Sequence, residues 1–182
     1  MNRIVFLLEE PSMKILLEGL LPRLFPGLNY LCIPHDGKND LDKSIPRKLI
    51  AWNEPGVRFV VLRDNDNGDC LQLKERLLGI CAAAGRPETL VRIVCQELEA
   101  WYIGEPEALA RAYRRPKLAS LAEKAKYREP DSLPKPSTDL EALLPEFQKR
   151  DCARRLGALL SEQGNRSASF QVFMTGLRQM LG

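Results

Sequence analysis

Apolar and polar positions alternate in blocks along the first two thirds of the chain. Ile4–Leu8 is a short apolar run, and Asn29–Pro34, Val57–Leu62 and Leu90–Cys95 are three more. Val57–Leu62 is dominated by β-branched and large apolar residues, as in a strand covered on both faces. The segments between them carry helical spacing. Ser12 is placed to cap a helix reaching Leu24, with Ile15, Leu16, Gly19, Leu20 and Leu24 toward the core. Asp42 is placed to cap a short helix ending at Trp52, and Cys70–Ala84 puts Leu73, Leu77 and Leu78 on one face. The polar stretch His35–Asp40 reads as a loop, and Glu54–Gly56 as a turn. Short apolar strands alternating with helices predict a three-layer α/β domain with a mainly parallel sheet over residues 1–112.

Beyond residue 112 the pattern changes. A basic helix is predicted at Lys117–Lys126, a proline-rich loop at Arg128–Ser137, and two helices over about 147–162 and 167–181. Residues 113–182 are therefore expected to form a basic helical extension packed on the α/β core.

Composition narrows the classes. The chain has 182 residues, 45% hydrophobic and 28% charged, as in an ordinary globular domain with an extension. No run of about 18 apolar residues is present, so no membrane span is expected. The start, one basic residue and a short apolar run followed by Glu9 and Glu10, reads as a first strand rather than a signal peptide. A cytoplasmic protein is expected. Cys32, Cys70, Cys81, Cys95 and Cys152 are odd in number and match no zinc spacing, so they read as reduced thiols, mostly buried. The net charge is +3 but uneven. Residues 1–110 carry 13 basic and 16 acidic side chains, and residues 111–182 carry 14 and 8. That asymmetry fits an acidic site beside a polyanion-binding surface, and equally fits solvated helix faces.

The candidate chemistry lies just past the strand ends. Glu9 and Glu10 follow the first strand; Asp64, Asp66 and Asp69 follow the third; Glu97 and Glu99 follow the fourth. In an open parallel sheet the carboxyl ends of the strands form the ligand crevice, so these acids can meet in space. Clustered carboxylates repel one another unless a cation pairs with them, and an all-oxygen donor set suits Mg²⁺ or Mn²⁺. The competing reading is that Asp and Asn serve only the turn, and that Glu97 and Glu99 favour a helix N-terminus.

The order of these features resembles the Toprim domain of topoisomerases, primases and OLD-family nucleases. The stretches LLEEPS, RDNDNGDC, ELEAWYIG and NRSASF, spread from residue 8 to residue 170, look like those of an uncharacterised bacterial Toprim-like family. The resemblance implies a Toprim/Rossmann-like fold and metal-dependent cleavage of nucleic acid, DNA or RNA, in a defence or toxin-like setting. It implies Glu9 as general base or acid and metal contact, and Asp64 and Asp66 as ligands of Mg²⁺ or Mn²⁺. Glu99 matches a family-typical acid. Asn165, Arg166, Ser167 and Ser169 match a late signature that closes over the crevice, with Arg166 as a phosphate clamp. The chain departs from the family at Glu10, where a small residue is usual, and at Met13, where a second acid is usual. Both departures weaken the case for a second metal.

Other residues border this reading. Lys38, Arg63 and Lys74 are placed near the crevice, and Lys74 can reach a phosphate. Arg111, Arg114, Arg115, Lys117, Lys124, Lys126 and Arg128 form the densest basic stretch, a backbone-binding surface or a solvated helix face. Lys149, Arg150, Arg154 and Arg155 form a smaller patch. His35 reads most plainly as a surface loop residue. Trp101 and Tyr102 read as anchors of a helix on the sheet, with base stacking as the alternative. Two further functions stay open: a Toprim-like binding module that depends on a protein partner, and a phosphoacceptor domain. Against the latter, the lysine expected after a late strand is not evident.

Overall fold

The computed structural model describes residues 3–182; Met1 and Asn2, part of the start weighed above as a leader, lie outside them. Strands β1 (Ile4–Leu8), β2 (Tyr30–Pro34), β3 (Arg58–Asp64) and β4 (Leu90–Val94) form a parallel sheet in the order β2-β1-β3-β4. Helices α1 (Pro11–Leu24), α2 (Lys38–Ala51) and α3 (Cys70–Ala83) connect them. The three-layer α/β fold expected from the alternation is the fold observed.

Side chains alternate across a strand, so β1 and β3 each feed two cores. Ile4, Phe6, Leu8, Val60 and Leu62 face α1 and the later helices. Val5, Leu7, Phe59 and Val61 face α2 and α3. All five residues of β1 are fully buried, which is why its sequence shows no polar alternation. β1 pairs with β3 so that Leu8 lies opposite Leu62. Because β1 connects outward to β2 and the chain then returns to β3 on the other side, the strand order, not the strand direction, reverses between β1 and β3. That reversal opens a crevice at their carboxyl ends.

Several local boundaries differ from expectation. Helix α1 begins at Pro11, a residue suited to a first turn, and Ser12 lies inside it, bonded to Glu10 rather than capping. Helix α2 begins at Lys38 after Gly37, whose φ of 92° suits glycine, so half of the expected loop is helical. Asp42 lies within that helix and pairs with Arg63 and Arg76 instead of capping. His35 is buried, not a surface residue: its Nδ1 lies 2.8 Å from the Leu8 carbonyl.

After β4 come α4 (Glu99–Ile103) and α5 (Pro106–Tyr113). The basic helix expected at Lys117–Lys126 is instead two 3-10 segments, Pro116–Glu123 and Ala125–Tyr127. Another short turn, Pro130–Ser132, precedes α6 (Pro136–Leu143), a helix that the proline-rich stretch concealed. Helices α7 (Lys149–Gly157) and α8 (Ala168–Leu181) complete the chain. Helix α7 lies on α1 at a close crossing. A Cβ on Gly19 would come within 3.0 Å of Gly157 backbone, and one on Gly157 within 2.8 Å of the Leu16 carbonyl. Arg23 clamps the crossing by donating to the carbonyls of Gly157 and Leu160. Helix α8 packs beside β4, where Trp101 meets Phe170 and Phe173 with ring centroids 5.1 and 5.2 Å apart. Trp101 and Tyr102 are buried anchors, as expected. All five cysteines are free, and Cys32, Cys81 and Cys152 are buried. Among the described residues no helix is long and apolar enough to cross a membrane.

Candidate functional site

The register of β1 on β3 decides which acids meet. Glu9 follows Leu8 directly, and its backbone N–H donates to the Leu62 carbonyl, so the chain is still strand-like there. Its carboxylate turns across to β3, where Oε2 accepts the Asp64 N–H at 2.9 Å. Asp64 is 5% exposed, and its Oδ1 is buried without a hydrogen-bond partner. An unpartnered buried carboxylate oxygen is costly in a folded protein and asks for a reason.

The electrostatics point to a missing positive charge. Burial, then the charges of Glu9, Glu10, Glu99 and Asp66, hold Asp64 well above the usual carboxylate range. Burial also pushes Glu9 up to about 7, against the Asp64 N–H that favours its charged form. Glu99, 1% exposed on α4, is pushed up to about 7 by burial, with Lys149 opposing and Glu10 adding. Its Oε2 also lacks a partner.

Three cations border these acids. Arg63 Nε lies 3.9 Å from Glu9 Oε2 while its other end pairs with Asp42. Lys38 Nζ lies 3.1 Å from Asp66 Oδ2. Lys149, the first residue of α7, reaches Glu10 at 3.6 Å and Glu99 at 3.7 Å. Burial works against its charge, yet Glu99, Glu10 and Asp64 outweigh that and pull its pKa up. The α1–α7 crossing thus delivers a lysine of the C-terminal segment to the acids of the sheet.

The loop after Asp64 is tightly specified. Asp66 and Asn67 both take left-handed φ values, 52° and 61°, which Asp and Asn tolerate better than most residues. Asp69 caps α3, accepting from the N–H groups of Leu71 and Gln72. Glu97 turns away to accept the Ser137 N–H at the start of α6.

The structure therefore gathers Glu9, Glu10, Asp64 and Glu99 around one crevice, with Asp66 at its rim. The late signature is built differently. Arg166 donates to the carbonyls of Tyr127 and Arg128. Asn165 donates to the Trp101 carbonyl, and Ser167 caps α8 and bonds Asp131. Lys74 lines a cavity of about 300 Å³ between α3, β4 and α8, with Cys70, Cys95 and Asp131. Arg115 pairs with Glu146, while Arg114 and Lys117 are exposed. Sequence reasoning missed Gln96, which holds the acidic loop, and the contact of Lys149 with Glu99. The position of Gln96 two residues past the β4 end was the available signal for the first.

The donor set suits a hard divalent cation: carboxylate oxygens only, with Asp64 Oδ1 and Glu99 Oε2 buried and unpartnered. The arrangement is incomplete as it stands. Among the described residues, no three Asp, Glu, His or Cys side chains converge as ready ligands, and Asp66 is turned to Lys38.

The C-terminal region of the Burkholderia pseudomallei OLD protein has a similar structure, with a TM-score of 0.63 at 17% identity. The match covers 99% of this chain and 98% of that one, and at this identity it shows the fold. No curated protein matches the chain. A family profile described as a domain of unknown function, DUF4276, matches residues 8–178, and the chain belongs to that family.

Proposed function

We propose that this chain is a Toprim-like, divalent-cation-dependent phosphodiesterase acting on nucleic acid, with Glu9, Asp64 and Asp66 holding Mg²⁺ or Mn²⁺. The observation that carries the reading is the buried, unpartnered Oδ1 of Asp64 beside Glu9 at the sheet's reversal point. When bound, such an ion supplies charge stabilisation at a phosphoryl oxygen. Glu9, with one oxygen fixed by the Asp64 N–H and a pKa about 7, suits taking or returning a proton near neutral pH. Lys149 brings a positive charge that a bridging or nonbridging phosphate oxygen can share. Arg114, Lys117 and Lys74 are proposed to meet the nucleic-acid backbone. Asn165, Arg166 and Ser167 enter as the brace that seats α8, with Arg166 reaching phosphate only if it leaves its two carbonyls. The proposed setting is the cytoplasm, where thiols stay reduced.

A second reading has its own support: a binding module that acts only with a protein partner. Asp66 engaged by Lys38, and the lack of three ready ligands among the described residues, favour it. The deciding experiment is Mg²⁺- and Mn²⁺-dependent cleavage of single- and double-stranded DNA and RNA by wild type, Asp64→Ala and Glu9→Ala. Cleavage present in wild type and lost in both variants is expected. Cleavage surviving both variants would place the chemistry elsewhere. No cleavage on any substrate, with Mn²⁺ binding retained, would support the binding module.

A further inference from the structure

We infer that Gln96 is a positioning residue that sets how tightly the Asp64–Asp66 turn holds a cation. The inference rests on the cation reading proposed above and names a residue outside the acidic set. Three successive N–H groups of the turn point at this one residue. The Gln96 carbonyl accepts from the N–H groups of Asn65 and Asp66, each at 3.1 Å. Its side-chain Oε1 accepts from Asn67 N at 2.9 Å and from Asn65 Nδ2 at 2.6 Å. Its Nε2 reaches the Asp131 carbonyl at 3.4 Å, which ties the turn to the C-terminal segment. Asn67 Nδ2 makes a second tie, to the Pro134 carbonyl at 2.7 Å.

The carbonyl contacts survive any substitution at position 96, but the side-chain contacts need an oxygen acceptor at this length. Those contacts fix Asn67 in its left-handed conformation, and Asn67 follows Asp66 directly. Without Oε1, Asn67 loses the acceptor that holds its left-handed backbone, while Asp66 beside it keeps only the Gln96 carbonyl. Asp66 is then held through its own N–H alone, and its side chain is less firmly aimed at the crevice. The turn's tip is exposed at Asp66, Asn67 and Gly68, and no core side chain depends on it. Loosening it should therefore cost cation affinity far more than global stability, which separates positioning from general support.

The test uses the full chain, with Mn²⁺ binding followed by electron paramagnetic resonance of the free ion and metal-free thermal melting alongside. Gln96→Leu is expected to weaken Mn²⁺ binding about 10-fold or more, the usual effect of losing a residue that orients a ligand, with little change in melting. Gln96→Glu keeps an acceptor oxygen for Asn65 Nδ2 and Asn67 N, so it should bind Mn²⁺ as tightly as wild type or more so. Gln96→Asn keeps the chemistry but not the reach, and should resemble Gln96→Leu; it decides the matter if the leucine variant does not fold. Wild-type affinity in both Gln96→Leu and Gln96→Asn would overturn the inference, as would equal loss in Gln96→Glu. If wild type binds no Mn²⁺, the cation reading itself is overturned, a result distinct from a positioning failure.

Discussion

The strand-end acids and the segment Asn165–Phe170 look alike in sequence, since each is a polar run beside a large apolar residue. In the folded chain they are opposites. Every polar side chain of the late segment is used. Asn165 donates to the Trp101 carbonyl and accepts the Ser167 N–H; Ser167 bonds Asp131 and caps α8; Ser169 accepts from the Trp101 indole at 3.0 Å. Arg166 is used on two carbonyls. At the crevice the reverse holds. Asp64 and Glu99 each bury an oxygen with no partner, and both are held above their ordinary pKa. A polar cluster that satisfies itself supports the fold, whereas one left short of positive charge is suited to receive it.

Substitution at Asp64 should have the largest effect on that contrast. Asp64→Asn removes the charge that would hold a cation, so cation-dependent cleavage should fall about 100-fold or more. Stability without metal should hold or rise, because a repelled buried carboxylate has gone. Rates and denaturant midpoints measured together check both halves. Asn165→Ala should behave in the opposite sense. It strands the buried Trp101 carbonyl and Ser167 N–H, at a cost of about 1–3 kcal/mol, while Mn²⁺ affinity stays at the wild-type level. An Asn165→Ala protein that is stable but no longer binds Mn²⁺ would break the comparison.

Sequence made one region more legible than the other for a physical reason. Strand ends can be read from apolar runs, and in a parallel sheet all strand ends share one edge, so Glu9 and Asp64 could be brought together before any coordinates. Which acids remain there depends on contacts distant in sequence. Glu97 goes to Ser137, 40 residues away, and Asp69 to its own helix. The boundary errors have local causes: Gly37 starts α2 without a side-chain cap, and prolines 134 and 136 hide a helix that starts at Pro136. His35 is polar and follows a proline, yet the turn folds it beneath the end of β1. Lys149 resembled any solvated lysine until the glycine crossing of α1 and α7 fixed its place.

The charge shortage at the crevice should also appear as a pH dependence. Glu9 and Glu99 lose their protons near the ordinary value of 4.5 in the unfolded chain but near about 7 when folded. Between those values the folded state binds more protons, so stability falls as pH rises and levels off above about 7. Asp64, also raised, adds in the same direction. Lys149, its pKa raised, stays charged throughout, and His35, its pKa lowered by burial, contributes in the opposite direction but as a single group against three. Thermal melts of metal-free protein from about pH 5 to about pH 8 should show the decline. Excess Mn²⁺ should cancel it, and Glu99→Gln should shrink it. A flat profile would mean that the crevice acids are already satisfied, as the late segment is.

The smallest effect tests whether Asp66 belongs to the site at all. Its Oδ2 faces Lys38 Nζ at 3.1 Å, with the two side chains 39% and 49% exposed. A pair so open to water contributes about 0–1 kcal/mol, so Lys38→Ala should leave stability nearly unchanged. If Asp66 donates to the cation, Lys38 competes with that ion for the same carboxylate. Removing it should then tighten Mn²⁺ binding by up to about five-fold, the equivalent of one exposed ion pair. The gain should shrink at high salt, where the competition is screened. Weaker binding would mean that the lysine steadies Asp66 for the ion. No change, with Asp64→Asn still abolishing binding, would leave Asp66 to the turn and confine the site to Glu9 and Asp64.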